Sequence, residues 1–496
     1  MSPDILQGLT QASQPINMLA TAIGALMGLT VGMIPGMTIS SGIIIVLPMT
    51  FVLDPEFSIA LLLGLYVGGM TGGSFSAILL NIPGTPSASA TAIDGYPLAQ
   101  KGEAGRALGI SIIAGFTGGM FSFFCLYLIA PLLAEVALQF HAADLFSLVL
   151  FGLTIICSFA AKSLIKGLLS AVIGLLIITI GQDPVMGTAR YTFGDANILS
   201  GIHFLTALIG LFAIPQLVGS LTDISMTTAG GRQTFGSIIP KAADLKRIIR
   251  PVSIGSSVGA FLGILPGVGG PIAAFISYDY AKKASNRPAD FSKGSIEGVA
   301  APESANNAVT GGALIPMMTL GIPGDPVTAI LIGALLVHGL APGPLLFIER
   351  ADFAYGVIFS FFWANIFNLI IAMSGLRLLV KVLALPKTVL MPAIALFCVI
   401  GSYSLRNSFF DIYVMLFFGL IGLAMKKLDM PVVPMLLGLV LGRQLEEHLR
   451  VALTSSKGDI SVFFTSPFSL LFLCLSAISI VWAFTAEQRK KSKLST

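Results

Sequence analysis

The chain has 496 residues, 55% hydrophobic and 10% charged, with a net charge of +4 and a mean hydropathy of +0.91. Soluble domains carry about 25% charged residues, so a soluble enzyme and a nucleic-acid binder are excluded, and a polytopic inner-membrane protein is the class that fits. Cys125, Cys157, Cys398 and Cys474 all lie in apolar runs without CxxC spacing or a His neighbour, which argues against a disulfide or a metal centre. No basic stretch precedes the first apolar run, so no cleavable signal is expected.

A membrane span takes about 20 apolar residues. In chain order, a segment broken at Pro35-Gly36 covers 18–53, and apolar runs follow at 57–80, 107–134, 144–161, 164–181 and 199–219. Residues 220–250 are rich in Thr, Ser, Gly, Lys and Arg and read as a cytoplasmic linker. A second broken segment, 251–280, turns at Pro266-Gly267; runs at 305–320, 326–347, 353–383, 388–404, 408–425, 431–442 and 466–486 come next. The chain closes on the basic tail Arg489, Lys490, Lys491 and Lys493, expected to be cytoplasmic. The pattern predicts an all-α polytopic membrane protein with roughly 10 to 12 membrane elements.

Gly24, Gly28, Gly32, Pro35 and Gly36 recur as Gly255, Gly259, Gly263, Pro266 and Gly267, every pair 231 residues apart. The chain is therefore an internal duplication. The first repeat covers 1–219 (hairpin 18–53, broken helix 57–99, further helices) and the second 251–447 (hairpin 251–280, broken helix 305–347, further helices), with a C-terminal helix and tail at 448–496. Residues 1–100 contain no Lys or Arg, and Asp4, Asp54 and Glu56 flank the first hairpin, whereas Lys246, Arg247, Arg250, Lys282 and Lys283 flank the second. Basic flanks mark the cytoplasmic side, so the two hairpins are expected to enter from opposite faces as inverted repeats. Tight packing of ordinary kinked helices along the Gly rows is the competing reading.

Each half carries a second breaker cluster: Asn81-Ile82-Pro83-Gly84-Thr85-Pro86-Ser87 and Gly321-Ile322-Pro323-Gly324-Asp325-Pro326, now 240 residues apart. Pro-Gly-x-Pro inside an apolar run cannot be continuous helix, and unwound backbone at membrane depth is tolerated only inside protein or along a cavity. Broken helices repeated in both halves point to a secondary transporter's central site. The free amides and carbonyls of such breaks can hold an anion and a cation side by side. Around them stand hydroxyls and amides, namely Thr38, Ser40, Ser41, Thr71, Ser74, Ser76, Asn81, Thr85, Ser87, Asn306, Asn307, Thr310 and Thr328, and no Lys or Arg. An anionic substrate there needs co-bound cations, which predicts symport with Na⁺ placed ahead of H⁺. Asp325 reads as an ion ligand, a proton carrier or a helix N-cap, Asp94 as a turn or cap residue, and Glu303 as the cap opening a helix that returns into the membrane.

The stretches at 28–51, 72–109 and 259–347, among them GLTVGMIPGMTISSG, NIPGTPSASATAIDGYPLAQKGEAGRALG and APESANNAVTGGALIPMMTLGIPGDP, make the chain resemble the large membrane subunit of the tripartite tricarboxylate transporter family. The resemblance implies a bacterial inner-membrane permease importing tricarboxylates or related carboxylates by cation coupling. It also implies a periplasmic substrate-binding protein and a small four-helix membrane subunit as partners, and a distant likeness to elevator-type ion transporters. Carried over by position, the resemblance implies a site at Pro35, Gly36, Thr38, Asn81, Gly84, Thr85, Ser87, Pro266, Gly267, Gly269, Asn306, Asn307, Gly324 and Asp325; the hydroxyls of Ser40 and Thr328 are added from the reading of the breaks, with Na⁺ expected at Asn81, Thr85, Asn307 and Asp325. Met37-Thr38 stands where the family often has Gly-Pro. No catalytic residue and no cofactor beyond the coupling ion are expected. The alternatives are a channel and, less favoured, an integral membrane enzyme, since Gly255-Ser256-Ser257-Val258-Gly259 matches G-x-S-x-G outside a strand-to-helix turn.

Overall fold

Where no water can pair the backbone, the chain pairs it internally, and helices do this within one segment. The computed structural model describes residues 3–34, 37–160, 163–183, 186–222, 237–267, 269–382 and 387–494, and these are almost wholly helical. Pro35 and Gly36, and 223–236 of the expected linker, lie outside them.

The first half runs through α1 (Pro3–Ala12), α2 (Pro15–Met33), α3 (Ile39–Thr50), α4 (Pro55–Leu80), α5 (Ala88–Gln100), α6 (Ala104–Ala137), α7 (Ala142–Ala160) and α8 (Leu164–Ile178). A minimal antiparallel pair, β1 (Gly181–Gln182) and β2 (Ala189–Arg190), precedes α9 (Ala196–Leu199) and α10 (Phe204–Thr222). The second half holds α11 (Ala242–Ile264), α12 (Gly269–Ala284), α13 (Ile296–Leu320), α14 (Pro326–Val337), α15 (Leu346–Glu349), α16 (Ala351–Val382), α17 (Lys387–Ser404), α18 (Phe409–Lys427), α19 (Val432–Ser455), α20 (Val462–Thr465) and α21 (Pro467–Leu494). Among the described residues six helices are long and apolar enough to cross a membrane and five shorter apolar helices accompany them. The chain is an all-α polytopic membrane protein.

Two compact units interleave along the sequence: Met1–Ala134 with Gln216–Phe397, and Glu135–Pro215 with Cys398–Thr496. Each half of the duplication contributes its hairpin and broken helix to the first unit and its last helices to the second.

In the first unit the Gly rows are packing ladders. A methyl group on Gly24, Gly28 or Gly32 would fall 2.0, 2.2 or 2.3 Å from the carbonyl oxygens of Leu61, Leu65 and Gly69, and one on Gly255, Gly259 or Gly263 would fall 2.2, 2.3 or 2.7 Å from those of Ala301, Ala305 and Val309. Backbone meets backbone at these crossings, and any side chain would push the helices apart. Partner numbers rise together in both ladders, so α2 runs parallel to α4 and α11 parallel to α13. Parallel neighbours require the intervening element to bring the chain back, so α2–α3 and α11–α12 are helical hairpins. The return arm α3 has 12 residues and rises about 18 Å, well short of a roughly 30 Å hydrocarbon core. The packing role of the Gly row is thus real, and it coexists with the hairpins.

At one end of this unit Arg106 of α6 donates from Nε and Nη2 to Asp244 of α11 at 3.0 and 2.5 Å. That guanidinium holds the Asp244 carboxyl below the usual carboxylate range. Asp244 also accepts from the Lys241 amide, which starts α11 at Ala242, inside the stretch expected to be linker.

In the second unit α8 crosses α19 and α10 crosses α18 by the same device. A methyl on Gly174 would fall 2.2 Å from the Met435 carbonyl oxygen, and one on Gly210 2.2 Å from that of Met415. Arg190 and Arg450 share Asp183 and Glu446, tying the β1–β2 loop to α19.

Candidate functional site

Both breaks open with the same turn. α4 ends at Asn81 in the left-handed conformation (φ 56°) and α13 at Gly321 (φ 68°), and the next amide reaches back, Ile82 to the Ser76 carbonyl and Ile322 to that of Pro316. Glycine, or asparagine in its place, is what a left-handed helix end selects. Gly84 then lies so close to hairpin one that a methyl on it would sit 1.9 Å from the Gly32 carbonyl oxygen. In the second half Gly324 accepts from the Gly267 amide at the tip of hairpin two, at 2.8 Å. Each break is thus clasped by its own hairpin.

The broken helices also cross each other. Asn306 Nδ2 donates to the Met70 carbonyl at 3.1 Å and Thr71 Oγ1 donates to Asn307 Oδ1 at 3.1 Å, while Ser74 stands beside Glu303. From Glu303 beside Ser74, through Asn306 on Met70, to Asp325 under Tyr66, numbers rise in the second half as they fall on α4, so α4 and α13 pass antiparallel. The return arms trade halves, α3 packing on α14 and α12 on α5.

Two constellations result. In the first, Thr85 and Ser87 share a 3.2 Å hydrogen bond ahead of α5, and α12 begins at Gly269, where Gly267 and Gly269 both take positive φ. Asn306 closes the group. A methyl on Gly270 would sit 3.0 Å from Asn306 Oδ1 and 3.4 Å from Ser87 Oγ. That Oδ1 is buried and has no hydrogen-bond partner, while its Nδ2 is held by Met70. Two helix N-termini, two hydroxyls and one unpartnered amide oxygen therefore meet around a close backbone approach.

The second constellation is closed. Asp325 N-caps α14, its Oδ1 accepting from the Thr328 amide at 2.8 Å and its own amide donating to Thr328 Oγ1 at 2.9 Å. Tyr66 OH donates to Asp325 Oδ2 at 2.5 Å. Nearby, Thr38 N-caps α3, accepting from the Ser41 amide at 3.1 Å, and Ser41 Oγ donates to Gln216. Tyr66 and Asn306 stand 240 residues apart, the spacing of the two breaks.

Of the residues expected at the site, Thr85, Ser87, Gly269 and Asn306 come together in the first group and Asp325 and Thr328 in the second. Pro266, Gly267 and Gly324 join hairpin two to its break, as Gly84 joins hairpin one. Asn81 and Thr38 are exposed helix caps, and Ser40 is buried at the start of α3. Asn307 faces Thr71 and Glu303 one turn away, its Nδ2 donating to the Glu303 carbonyl at 3.1 Å. Among the described residues no hydrogen bond joins Asn81, Thr85, Asn307 and Asp325 to one another, and no group of three or more His, Cys, Asp or Glu is placed to hold a metal ion.

Glu303 does not cap α13, which begins at Ile296; its side chain is buried seven residues later and accepts from Thr91 Oγ1 at 2.5 Å. Asp94 does serve as a cap, in trans, accepting from the Gly294 and Ser295 amides at 2.8 Å and from Tyr278 OH at 2.8 Å. Tyr66 and Asn368, whose Nδ2 donates to Thr71 Oγ1 at 2.8 Å, escaped the sequence reading. Both sit in apolar runs, and their partners lie hundreds of residues away.

No solved structure matches the chain. An uncharacterized 52.8 kDa protein from the TAR-I ttuC' 3' region of Agrobacterium vitis is 39% identical over 484 residues, covering 98% of this chain and 96% of its own. A second protein of that organism, uncharacterized and from its TAR-II ttuC' 3' region, is 41% identical over 233 residues, 47% of this chain and 96% of its own. The family model described as the tripartite tricarboxylate transporter TctA family matches residues 18–437, and the chain belongs to that family of transporters.

Proposed function

We propose that the chain is the large permease subunit of a bacterial inner-membrane importer that takes up tricarboxylates or related carboxylates by symport with Na⁺ or H⁺. In this reading it works with a periplasmic substrate-binding protein and a small four-helix membrane subunit. The observation that carries the reading is the first constellation: carboxylate oxygens suit the N-termini of α5 and α12 and the hydroxyls of Thr85 and Ser87, while the unpartnered Asn306 Oδ1 suits a cation. No Lys or Arg occurs at 72–93, 255–280 or 302–330, so the negative charge has to be met by a co-bound cation.

The antiparallel crossing of α4 and α13 and the exchanged return arms support inverted repeats, with hairpin one open to the outside and hairpin two and the C-terminus on the cytoplasmic side. The division into two interleaved units suits an elevator in which one unit carries the site. Cysteines placed at Asp54 and Lys282 should label from opposite faces; labelling from one face refutes the inversion.

The function is tested by radiolabelled citrate uptake into vesicles holding both membrane subunits, with binding protein added. Uptake is expected to need the binding protein and to stop when the cation gradients are removed. Uptake indifferent both to Na⁺ removal and to collapse of the proton gradient refutes coupling.

A further inference from the structure

Hairpin two has a cavity at its open end, between the foot of its long arm and the end of its return arm. About 250 Å³ of space lies there between Lys246, Arg247 and Arg250 of α11 and Ser285 and Asn286, which follow α12. One water takes about 30 Å³ of liquid, so the space suits a group of several heavy atoms. Ala281 and Ala284 line the α12 side, and their small side chains keep it open.

The charges around the cavity are unequally used. Arg247 donates from Nε to Glu297, which also lines the cavity, at 2.6 Å and from Nη2 to Asp290 at 3.3 Å. Those three groups together carry −1. Lys246 and Arg250 are exposed, and among the described residues their side chains make no hydrogen bond or ion pair. They add +2, which leaves one positive charge over. Like charges at i and i+4 on an exposed helix face work against the helix, and an anion between them removes that cost.

The rest of α11 says what kind of anion fits. Gly255, Gly259 and Gly263 face α13, while Ile254 lines the cavity and Ile249 and Phe261 are 63% and 64% exposed. From Arg250 to Phe261 the helix rises about 16 Å, the depth of one leaflet of a roughly 30 Å hydrocarbon core. A basic cavity at the head of an apolar stripe of that length matches an amphiphile, whereas a soluble anion would use the cavity alone. Snorkelling of Lys and Arg to the interface calls for no cavity at all.

We propose that this cavity holds the phosphodiester headgroup of an anionic phospholipid, its phosphate oxygens between Lys246 and Arg250 and one acyl chain along α11 toward Phe261. The Ser285 hydroxyl and the Asn286 amide supply neutral donors to the remaining headgroup oxygens. Such a lipid ties the two arms of hairpin two together at their open end. The site lies apart from the breaks, and the proposal stands whatever solute is carried.

The test uses the full chain purified in detergent, with phosphatidylglycerol and phosphatidylcholine as probes, read by native mass spectrometry and by thermal unfolding. Wild type should retain phosphatidylglycerol in preference and melt at a higher temperature with it than with phosphatidylcholine. K246A/R250A should lower the retained phosphatidylglycerol about tenfold, the scale that two basic contacts with an anionic lipid supply, and erase the melting difference. A284F, which fills the cavity and leaves the charges in place, should do the same. K426A/K427A, which removes two exposed cations from the last turn of α18, should keep both. Equal binding of the two lipids by wild type, full retention in K246A/R250A, or an equal loss in K426A/K427A overturns the proposal. Glycerol 1-phosphate that stabilises wild type as much as phosphatidylglycerol does would mark a site for soluble phosphates and overturn the lipid assignment. If one of the two cavity variants fails to fold, the other decides.

Discussion

The two breaks share a backbone and differ in what they leave unsatisfied. At positions 240 apart, Asn81 and Gly321 make the same left-handed turn and Gly84 and Gly324 take the same place against a hairpin. Thereafter Thr85 stands where the second copy has Asp325, and Tyr66 where it has Asn306. The second break binds its own carboxylate with a capping box and a phenol, so both oxygens of Asp325 are engaged. The first break ends in hydroxyls and an amide oxygen with no partner. The same geometry occurs twice, with the polar side chains of one copy paired and those of the other gathered around an unpartnered amide oxygen.

The largest effect tests what the copies share. Gly28→Leu and Gly259→Leu each force a side chain where a single methyl already sits 2.2 or 2.3 Å from a carbonyl oxygen, at a cost of about 3 kcal/mol or more. Loss of folded protein on size exclusion in detergent is expected from both. A well-folded variant in one half alone would show that the ladders are not equivalent.

Next comes the contrast between open and sealed. Tyr66→Phe strips a buried donor from Asp325 and should cost about 1–3 kcal/mol of stability, read as a lower melting temperature. Asn306→Ala should leave melting within about 1 kcal/mol of wild type, because no bond is lost at Oδ1 and one at Nδ2, while citrate uptake falls at least about tenfold, equivalent to roughly 1.4 kcal/mol. The reverse pattern would exchange the roles of the two constellations.

Asp94→Ala should lower stability by about 1–2 kcal/mol, the scale of losing a helix cap, with Tyr278→Phe smaller; thermal unfolding of the purified protein checks it. Smallest of all, Asn81→Gly should be near neutral, within about 0.5 kcal/mol, since glycine suits a left-handed turn. Unchanged uptake would confirm Asn81 as a cap, and abolished uptake would make it a ligand.

Much of this was legible in the residues. Pro-Gly-x-Pro could not be helix, and it is not; the charges flanking the five-position repeat made each copy an expected hairpin, and α3 returns between the parallel helices α2 and α4. The Gly row, taken as a pointer to the site, is the seam beside it, because glycines every four residues act through what they let approach rather than through what they bind. Glu303 was misjudged because Pro302 suggests a helix start, whereas α13 begins earlier at Ile296 and absorbs the proline. Asn306 was expected at the site from its place beside the break, whereas Tyr66 became meaningful only through Asp325 in the other half, which no local pattern encodes.

The parallel ladders carry one more consequence. With α2 pressed on α4 and α11 on α13 over successive turns, parting either pair would strip several close backbone contacts at once. In the importer reading, a gate in this unit would move its short arms, α3 and α12, held at their tips by Ser41 to Gln216 and by Gly267 to Gly324, while the long arms stay shut like a doorframe.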